Sequence, residues 1–477
     1  MISTLSRREA VFCLPMAIAS AFAAQGRAQA VTASAATAPS ITTDAAAVAK
    51  MDTMIRSFTD ADQFMGAVLV VRDGQVVLDK GYGFADRAAK TPITPDTRFY
   101  IGSVTKQFTA AAIMLLEDDG KLSVDAPVGQ YLKGLPVAWR DISLKNLLTH
   151  TSGIPDWQQG PEALAASASP MTPTQMLAYV TDKPLDFPTD TKYAYSNTNF
   201  VLLALVVEKL GRKPFAKFVE TRIFKPLNMT HSRVNVAVIG IKGYAATPGG
   251  MESATQAWDH TSEFGDSGIS TTTHDLLKWQ QGLFGGKLLK PASLTRMTTA
   301  YKNTRGVDGN NGFGLIIRAP RGGLRHIHHS GAIPGFSANV AWYRDLNMSI
   351  IILENIETGT GAPSPEDMRN MLVAVMNGKD AAVPVVHKEI AISAKALAAY
   401  PGTYQLSQDM DMVITLEDGQ LFAQVTGQGK APIFLEAEDR FFYKVIEAQV
   451  EFVRGPDGKA TSLILHQGGR HMPGVRK

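Results

Sequence analysis

Tyr100-Ile101-Gly102-Ser103-Val104-Thr105-Lys106-Gln107-Phe108-Thr109-Ala110-Ala111-Ala112-Ile113-Met114-Leu115-Leu116 decides both the fold and the chemistry of this chain. Its apolar residues recur at helical spacing, which predicts a helix opening near Ser103. Ser103 and Lys106 are three residues apart, one helical turn, so hydroxyl and amine are neighbours. A serine hydroxyl is a weak nucleophile at neutral pH and needs an adjacent base. A buried lysine can serve, because desolvation disfavours its ammonium form. The exposed amides and positive dipole of a helix N-terminus favour an alkoxide on Ser103 and a neutral Lys106. Alone, Ser-x-x-Lys reads more readily as a helix cap followed by a solvated lysine.

The rest of the sequence changes that balance. Ser-x-x-Lys occurs only at Ser103, and a basic residue followed by Ser or Thr and then Gly occurs only at His329-Ser330-Gly331. Tyr-x-Asn occurs at Tyr195-Ser196-Asn197 and again at Tyr301-Lys302-Asn303. The second copy sits in a polar run and reads as a surface turn. Tyr195 precedes the apolar run Thr198-Asn199-Phe200-Val201-Leu202-Leu203-Ala204-Leu205-Val206-Val207, a helix able to anchor a loop, and is taken as the functional copy.

Those three ordered motifs resemble the penicillin-recognising serine hydrolases. The similarity is greatest to the branch of class C β-lactamases, D-alanyl-D-alanine carboxypeptidases, D-aminopeptidases and family VIII carboxylesterases. Leu147-Leu148-Thr149-His150-Thr151-Ser152-Gly153-Ile154-Pro155, Pro226-Leu227-Asn228-Met229 and the run from Gly265 to Leu276 extend it over roughly three hundred residues, a usual domain size. The resemblance implies an α+β, β-lactamase/transpeptidase-like fold. It also implies an acyl-enzyme on Ser103, with Lys106 and Tyr195 sharing the proton transfers. Asn197 would hold the substrate's flank and steady Lys106. His329, Ser330, Gly331 and Ala332 would line the substrate, the amides of Ser103 and Ala332 forming the oxyanion hole. No metal and no cofactor are expected.

One position departs from the class C pattern, where a lysine heads the third motif and meets the substrate carboxylate. His329 stands there, and an imidazole with an ordinary pKa of about 6.5 is mostly neutral at pH 7, a weak and pH-dependent anion site. Esterase or D-peptidase-like activity is therefore favoured over efficient β-lactamase activity. The alternatives are a class C-type β-lactamase and a non-hydrolytic penicillin-binding sensor. His326 and His328 would share one face of a strand, but no HExxH accompanies them and Cys13 is the only cysteine, so they read as strand histidines.

Residues 1–30, with Arg7-Arg8, an apolar stretch from Ala10 to Ala24 and Ala28-Gln29-Ala30, read as a signal peptide. Ser6-Arg7-Arg8 points to the twin-arginine route, and a periplasmic location is expected. Residues 31–45, rich in Ala, Thr and Ser, read as a flexible linker. A catalytic domain is expected over 48–379, a second linker over 380–396, and a lipocalin-like antiparallel barrel over 397–477. The barrel rests on short strands punctuated by Asp418-Gly419 and Asp457-Gly458. A net charge of +3 on 477 residues indicates neither a nucleic-acid groove nor a polybasic membrane patch. The expected partner is a small-molecule or peptide substrate, with no stable membrane insertion and nothing to indicate an oligomeric state.

Overall fold

The computed structural model describes residues 45–477 apart from 248–249, 255–257, 260–262, 307–309, 320–322, 358–362, 380–388, 408–409, 427–429, 444–447 and 468–469. The expected signal peptide and nearly all of the first linker lie outside the described residues, as does most of the second linker. No helix among the described residues is long and apolar enough to cross a membrane.

Helix α1 (Ala45–Asp60) leads into a hairpin of β1 (Gly66–Arg72) and β2 (Gln75–Tyr82). Asp73 and Gly74 make its turn at φ 52° and 77°, the left-handed pair that a tight hairpin requires and that Asp-Gly tolerates. Helix α2 (Thr105–Asp118) follows a 3₁₀ turn at Gly102–Val104. Helix α3 spans Asn197–Gly211 and α4 spans Thr273–Phe284. The chain then returns as β3 (Ile316–Arg318), β4 (His326–Ile333), β5 (Phe336–Tyr343) and β6 (Met348–Glu354), and closes with α5 (Pro365–Met376). These strands make one antiparallel sheet in the order β3-β4-β5-β6-β1-β2.

Strands β1 and β6 lie in the sheet interior and are apolar on both faces, because helices cover both. Ala67, Leu69, Val71, Ile351 and Leu353 pack with α2 and α3 in one core. Val68, Val70, Ile350 and Ile352 pack in a second core with Phe58 of α1 and Met368 and Leu372 of α5. The period-two alternation of a strand separates the two sets. Burying those branched chains stabilises the fold by about 25 cal/mol per Å² of apolar surface removed from water, which fixes the sheet as a rigid frame.

Strand β4 meets the 3₁₀ turn through backbone, and glycine makes that possible. A Cβ at Gly331 would lie 2.0 Å from the Ile101 carbonyl oxygen and 3.0 Å from the Ser103 amide nitrogen; one at Gly102 would lie 2.9 Å from the Ala332 amide nitrogen. Two amides are thereby brought side by side at the start of α2.

After α5, eight strands of the described residues close into an antiparallel barrel: β7 (Gly402–Ser407), β8 (Met410–Glu417), β9 (Gln420–Val425), β10 (Ala431–Ala437), β11 (Arg440–Tyr443), β12 (Ala448–Arg454), β13 (Ala460–Gln467) and β14 (Arg470–Arg476). The β8–β9 turn uses Asp418 and Gly419 at φ 48° and 82°, as its sequence requires. Tyr404, Met412, Leu421, Val450 and Phe452 fill the interior.

The backbone contact of Gly331 generates a sharp test. Gly331→Val should lower acylation at Ser103 by at least a hundredfold, because β4 must retreat from Ile101. The check is the rate of covalent labelling by an activated acyl donor, with circular dichroism confirming a folded chain; labelling within threefold of wild type would contradict the packing.

Candidate active site

Ser103 sits in the 3₁₀ turn at the entrance to α2, and no side chain caps either the turn or the helix. Its hydroxyl is therefore free of the capping role that a lone Ser-x-x-Lys would suggest, and its partner is the Lys106 amine, Nζ to Oγ 3.0 Å. Two further contacts hold that amine: Asn197 Oδ1 at 2.7 Å and the Asp266 carbonyl oxygen at 2.8 Å. Lys106 is fully buried. Burial pulls its pKa down to about 8 against the opposing charges of Asp266, Asp156 and Glu263. A neutral amine has two N–H bonds and one lone pair. Asn197 and Asp266 accept the two hydrogens, which leaves the lone pair facing the Ser103 hydroxyl.

Neighbouring segments hold this arrangement. Thr105 Oγ1 accepts from the Ile269 amide at 3.2 Å, and Thr109 Oγ1 donates to the Gly265 carbonyl at 2.6 Å. They tie α2 to the loop that presents the Asp266 carbonyl.

Tyr195 is partly buried and lies within hydrogen-bond reach of Ser103; loss of solvation pushes its phenol well above the usual range, and the carboxyls of Asp266 and Asp156 add to this. It is thus a neutral phenol at physiological pH. Its ring stacks on His150 at 4.4 Å between centroids, and the Lys106 amine lies 4.9 Å from its centroid. His150 Nδ1 accepts from the Ser196 amide at 3.1 Å, and its carbonyl accepts from Ala194 at 3.0 Å. His150 therefore fixes the loop on both sides of Tyr195, by its ring on one side and its main-chain carbonyl on the other. Burial holds that imidazole neutral, well below its ordinary pKa, as its acceptor role requires.

Asn197 opens α3 with every amide group engaged. Its Nδ2 donates to Asp156 Oδ2 at 3.1 Å and to Gln158 Oε1 at 2.8 Å, while its backbone N–H donates to Asp156 Oδ1 at 3.2 Å. These acceptors set the orientation of the carboxamide. Turned over, it would aim N–H at an amine and oxygen at two acceptors. Asp156 and Gln158 follow directly on the Leu147–Pro155 stretch, and sequence reasoning missed them. The signal available was a carboxylate next to a recognised motif, and nothing in the spacing tied it to Asn197.

Two faces of β4 divide the third motif. His329 and Gly331 pair with Val340 and Ala338 on the face that packs with α2. Ser330 pairs with Asn339, whose Nδ2 donates to Ser330 Oγ at 2.9 Å; Asn339 Oδ1 in turn accepts from Arg369 of α5 at 3.4 Å. The Ser330 hydroxyl thus joins a network on the far side of the strand. Ala332 brings its backbone amide beside Gly102.

His329 is buried, and that burial, with the nearby Lys106 charge, pulls its pKa down to about 4. Its Nδ1 lies 2.6 Å from the Ser330 carbonyl. The imidazole is consequently neutral throughout the physiological range instead of titrating near it, so the pH-dependent anion site expected from the sequence becomes a neutral hydrogen-bonding ring.

His326 and His328 share the opposite face, their ring centroids 5.1 Å apart, with His326 stacked on Tyr343. Burial and the Arg369 charge keep both neutral. Among the described residues, no group of three or more His, Cys, Asp or Glu side chains is placed to hold a metal ion. The second Tyr-x-Asn copy is more buried than a surface turn. The Tyr301 hydroxyl donates to the Asp190 carboxylate at 3.0 Å, and Asn303 Nδ2 donates to the Thr191 carbonyl at 3.3 Å. It braces the loop leading into Tyr195.

Comparison with known proteins agrees with this arrangement. A family model described as Beta-lactamase matches residues 51–375, and a second, described as a domain of unknown function (DUF3471), matches residues 386–474. Penicillin-binding protein 4* of Bacillus subtilis (strain 168) is 28% identical over 450 residues, which cover 89% of this chain and 98% of the relative. The octameric penicillin-binding protein homologue from Pyrococcus abyssi matches with a TM-score of 0.64 at 22% identity, over 90% of this chain and 99% of that one. A D-stereospecific amidohydrolase from Streptomyces sp. matches with a TM-score of 0.55 at 26% identity, over 66% of this chain and 95% of the other. The sheet-and-helix domain is a β-lactamase/transpeptidase-like fold, and the chain belongs to the Beta-lactamase family of serine hydrolases.

Proposed function

We propose that the chain is an exported serine hydrolase that forms an acyl-enzyme on Ser103, acting on esters or on D-amino-acid amides and peptides in preference to β-lactams. The observation that carries this reading is the buried Lys106 amine, 3.0 Å from Ser103 Oγ and held by two acceptors. In the proposed reaction, neutral Lys106 takes the hydroxyl proton as Ser103 Oγ bonds to the substrate carbonyl. The oxyanion is met by the amides of Ser103 and Ala332, each donor contributing on the order of a hundred- to a thousandfold. Tyr195, protonated and beside both Ser103 and Lys106, passes the proton to the leaving group as the acyl bond breaks. Water then attacks the acyl-serine, losing its proton to Lys106 through Tyr195, and Ser103 departs with its hydroxyl restored.

The preference against β-lactams rests on His329. A neutral imidazole offers a substrate carboxylate no fixed charge at the head of the third motif. The likeness to a D-stereospecific amidohydrolase supports the amide and peptide side of the proposal. Export and a periplasmic location rest on the sequence of residues 1–30 alone.

The primary test sets a short-chain p-nitrophenyl ester against a chromogenic cephalosporin. The ester should turn over, the cephalosporin should be at least a hundredfold slower in kcat/KM, and Ser103→Ala should lose more than a thousandfold on both. Rapid cephalosporin turnover would convert the reading to a β-lactamase. A stable acyl-enzyme with one equivalent of product would make it a penicillin-binding sensor.

Acidity supplies a second test. Lys106 acts as a base only when deprotonated, so kcat/KM for an uncharged ester should rise about tenfold per pH unit up to about pH 8 and level off above it. His329, neutral down to about pH 4, should add no inflection near pH 6.5. A flat profile between pH 6 and 9 would remove Lys106 from the role of base.

A further inference from the structure

We infer that Gln158 is a specificity-determining residue: its side-chain oxygen occupies the Asn197 N–H that the amide carbonyl of an acylamino substrate would need, which biases the site toward acyl groups lacking such an amide. The inference rests on the acyl-enzyme reading of Ser103. A carboxamide carries two N–H bonds and no more. Asp156 Oδ2 takes one and Gln158 Oε1 the other, while Asn197 Oδ1 is committed to Lys106. Asn197 therefore has no donor left for a third partner.

The two acceptors differ in how firmly they are held. Asp156 also receives the Asn197 and Gln158 backbone amides on Oδ1, at 3.2 Å in each case. Gln158 is only partly buried, precedes the exposed Gln159 and Gly160, and its carboxamide holds Asn197 through one contact. Of the two, Gln158 is the one that can leave. Asn197 lies two hydrogen bonds from the nucleophile, 2.7 Å to Lys106 Nζ and 3.0 Å on to Ser103 Oγ. An acyl group attached to Ser103 must run close to it.

The amide carbonyl of an acylamino group, three bonds beyond the scissile carbon, would find there a donor already satisfied by a chemically identical carbonyl. Binding such a substrate exchanges one amide oxygen for another and gains little, whereas a plain acyl chain leaves the Gln158 contact intact. Removing Gln158 frees the N–H, so the substrate amide then gains a hydrogen bond that the buried donor otherwise lacks.

The test uses two thioglycolate thioesters whose acyl chains have the same length, hippuryl with an internal amide and 4-phenylbutanoyl without one. Thiol release is followed by colour, and acyl-Ser103 by mass spectrometry where deacylation is slow. Gln158→Ala should raise the hippuryl to phenylbutanoyl ratio of kcat/KM roughly five- to tenfold, about one net hydrogen bond. Gln158→Glu, a stronger acceptor, should lower the same ratio; any effect of its charge on Lys106 is common to both substrates and cancels. An unchanged ratio in Gln158→Ala, with both rates falling together, would make Gln158 a brace for Asn197 and overturn the inference. Activity or acylation surviving in Ser103→Ala would instead overturn the acyl-enzyme reading beneath it.

Discussion

Burial of the Lys106 amine is the constraint on which the rest of the catalytic domain depends. An ammonium group taken fully out of water is costly unless it is paired, and here its polar contacts are a hydroxyl, a carboxamide oxygen and a main-chain carbonyl. Each is delivered by a different segment: the turn before α2, the first residue of α3, and the loop around Asp266. The amine can be satisfied only when all three have assembled. The carboxyls of Asp156, Glu263 and Asp266 complete the balance. They are themselves short of solvent, Glu263 being pushed up to about 8 and so mostly protonated at neutral pH, and whichever of them is ionised opposes the loss of the Lys106 proton.

A frame of this kind has to be stiff, and the two-sided sheet provides it. With cores on both faces, β1 and β6 have no freedom to slip by one residue without turning apolar side chains from one core into the other. Strand β4 inherits that fixed register through β5, so Gly331 and Ala332 arrive opposite Gly102 and Ser103. Placement of the two amides is thus a property of the whole sheet.

Much of this was legible in the residues. The Ser103 to Lys106 spacing, the apolar run after Asn197 and the Asp418-Gly419 turn are local patterns whose physics does not depend on distant chain, and each led to an element of the expected kind. The contacts that were not legible are those set by tertiary proximity. Asp156 and Gln158 lie 41 and 39 residues from Asn197 in sequence, and only the folded loop shows that both meet its carboxamide. The same holds for His150, whose ring is 46 residues from the Ser196 amide it accepts. The two-faced division of Ser330 and His329 follows from strand alternation, but which face met the nucleophile depended on which core each face joined. His329 was misjudged in degree for a related reason, since an ordinary imidazole pKa presumes water that the folded strand excludes.

The closed barrel has a consequence of another sort. In an open sheet the outermost strands present bare amides and carbonyls that invite a strand from another molecule. Here the first strand, β7, pairs with the last, β14, as well as with β8, so the ladder ends on itself. A module with no seam along its rim can be tethered beside an unrelated enzyme without the two exchanging strands during synthesis.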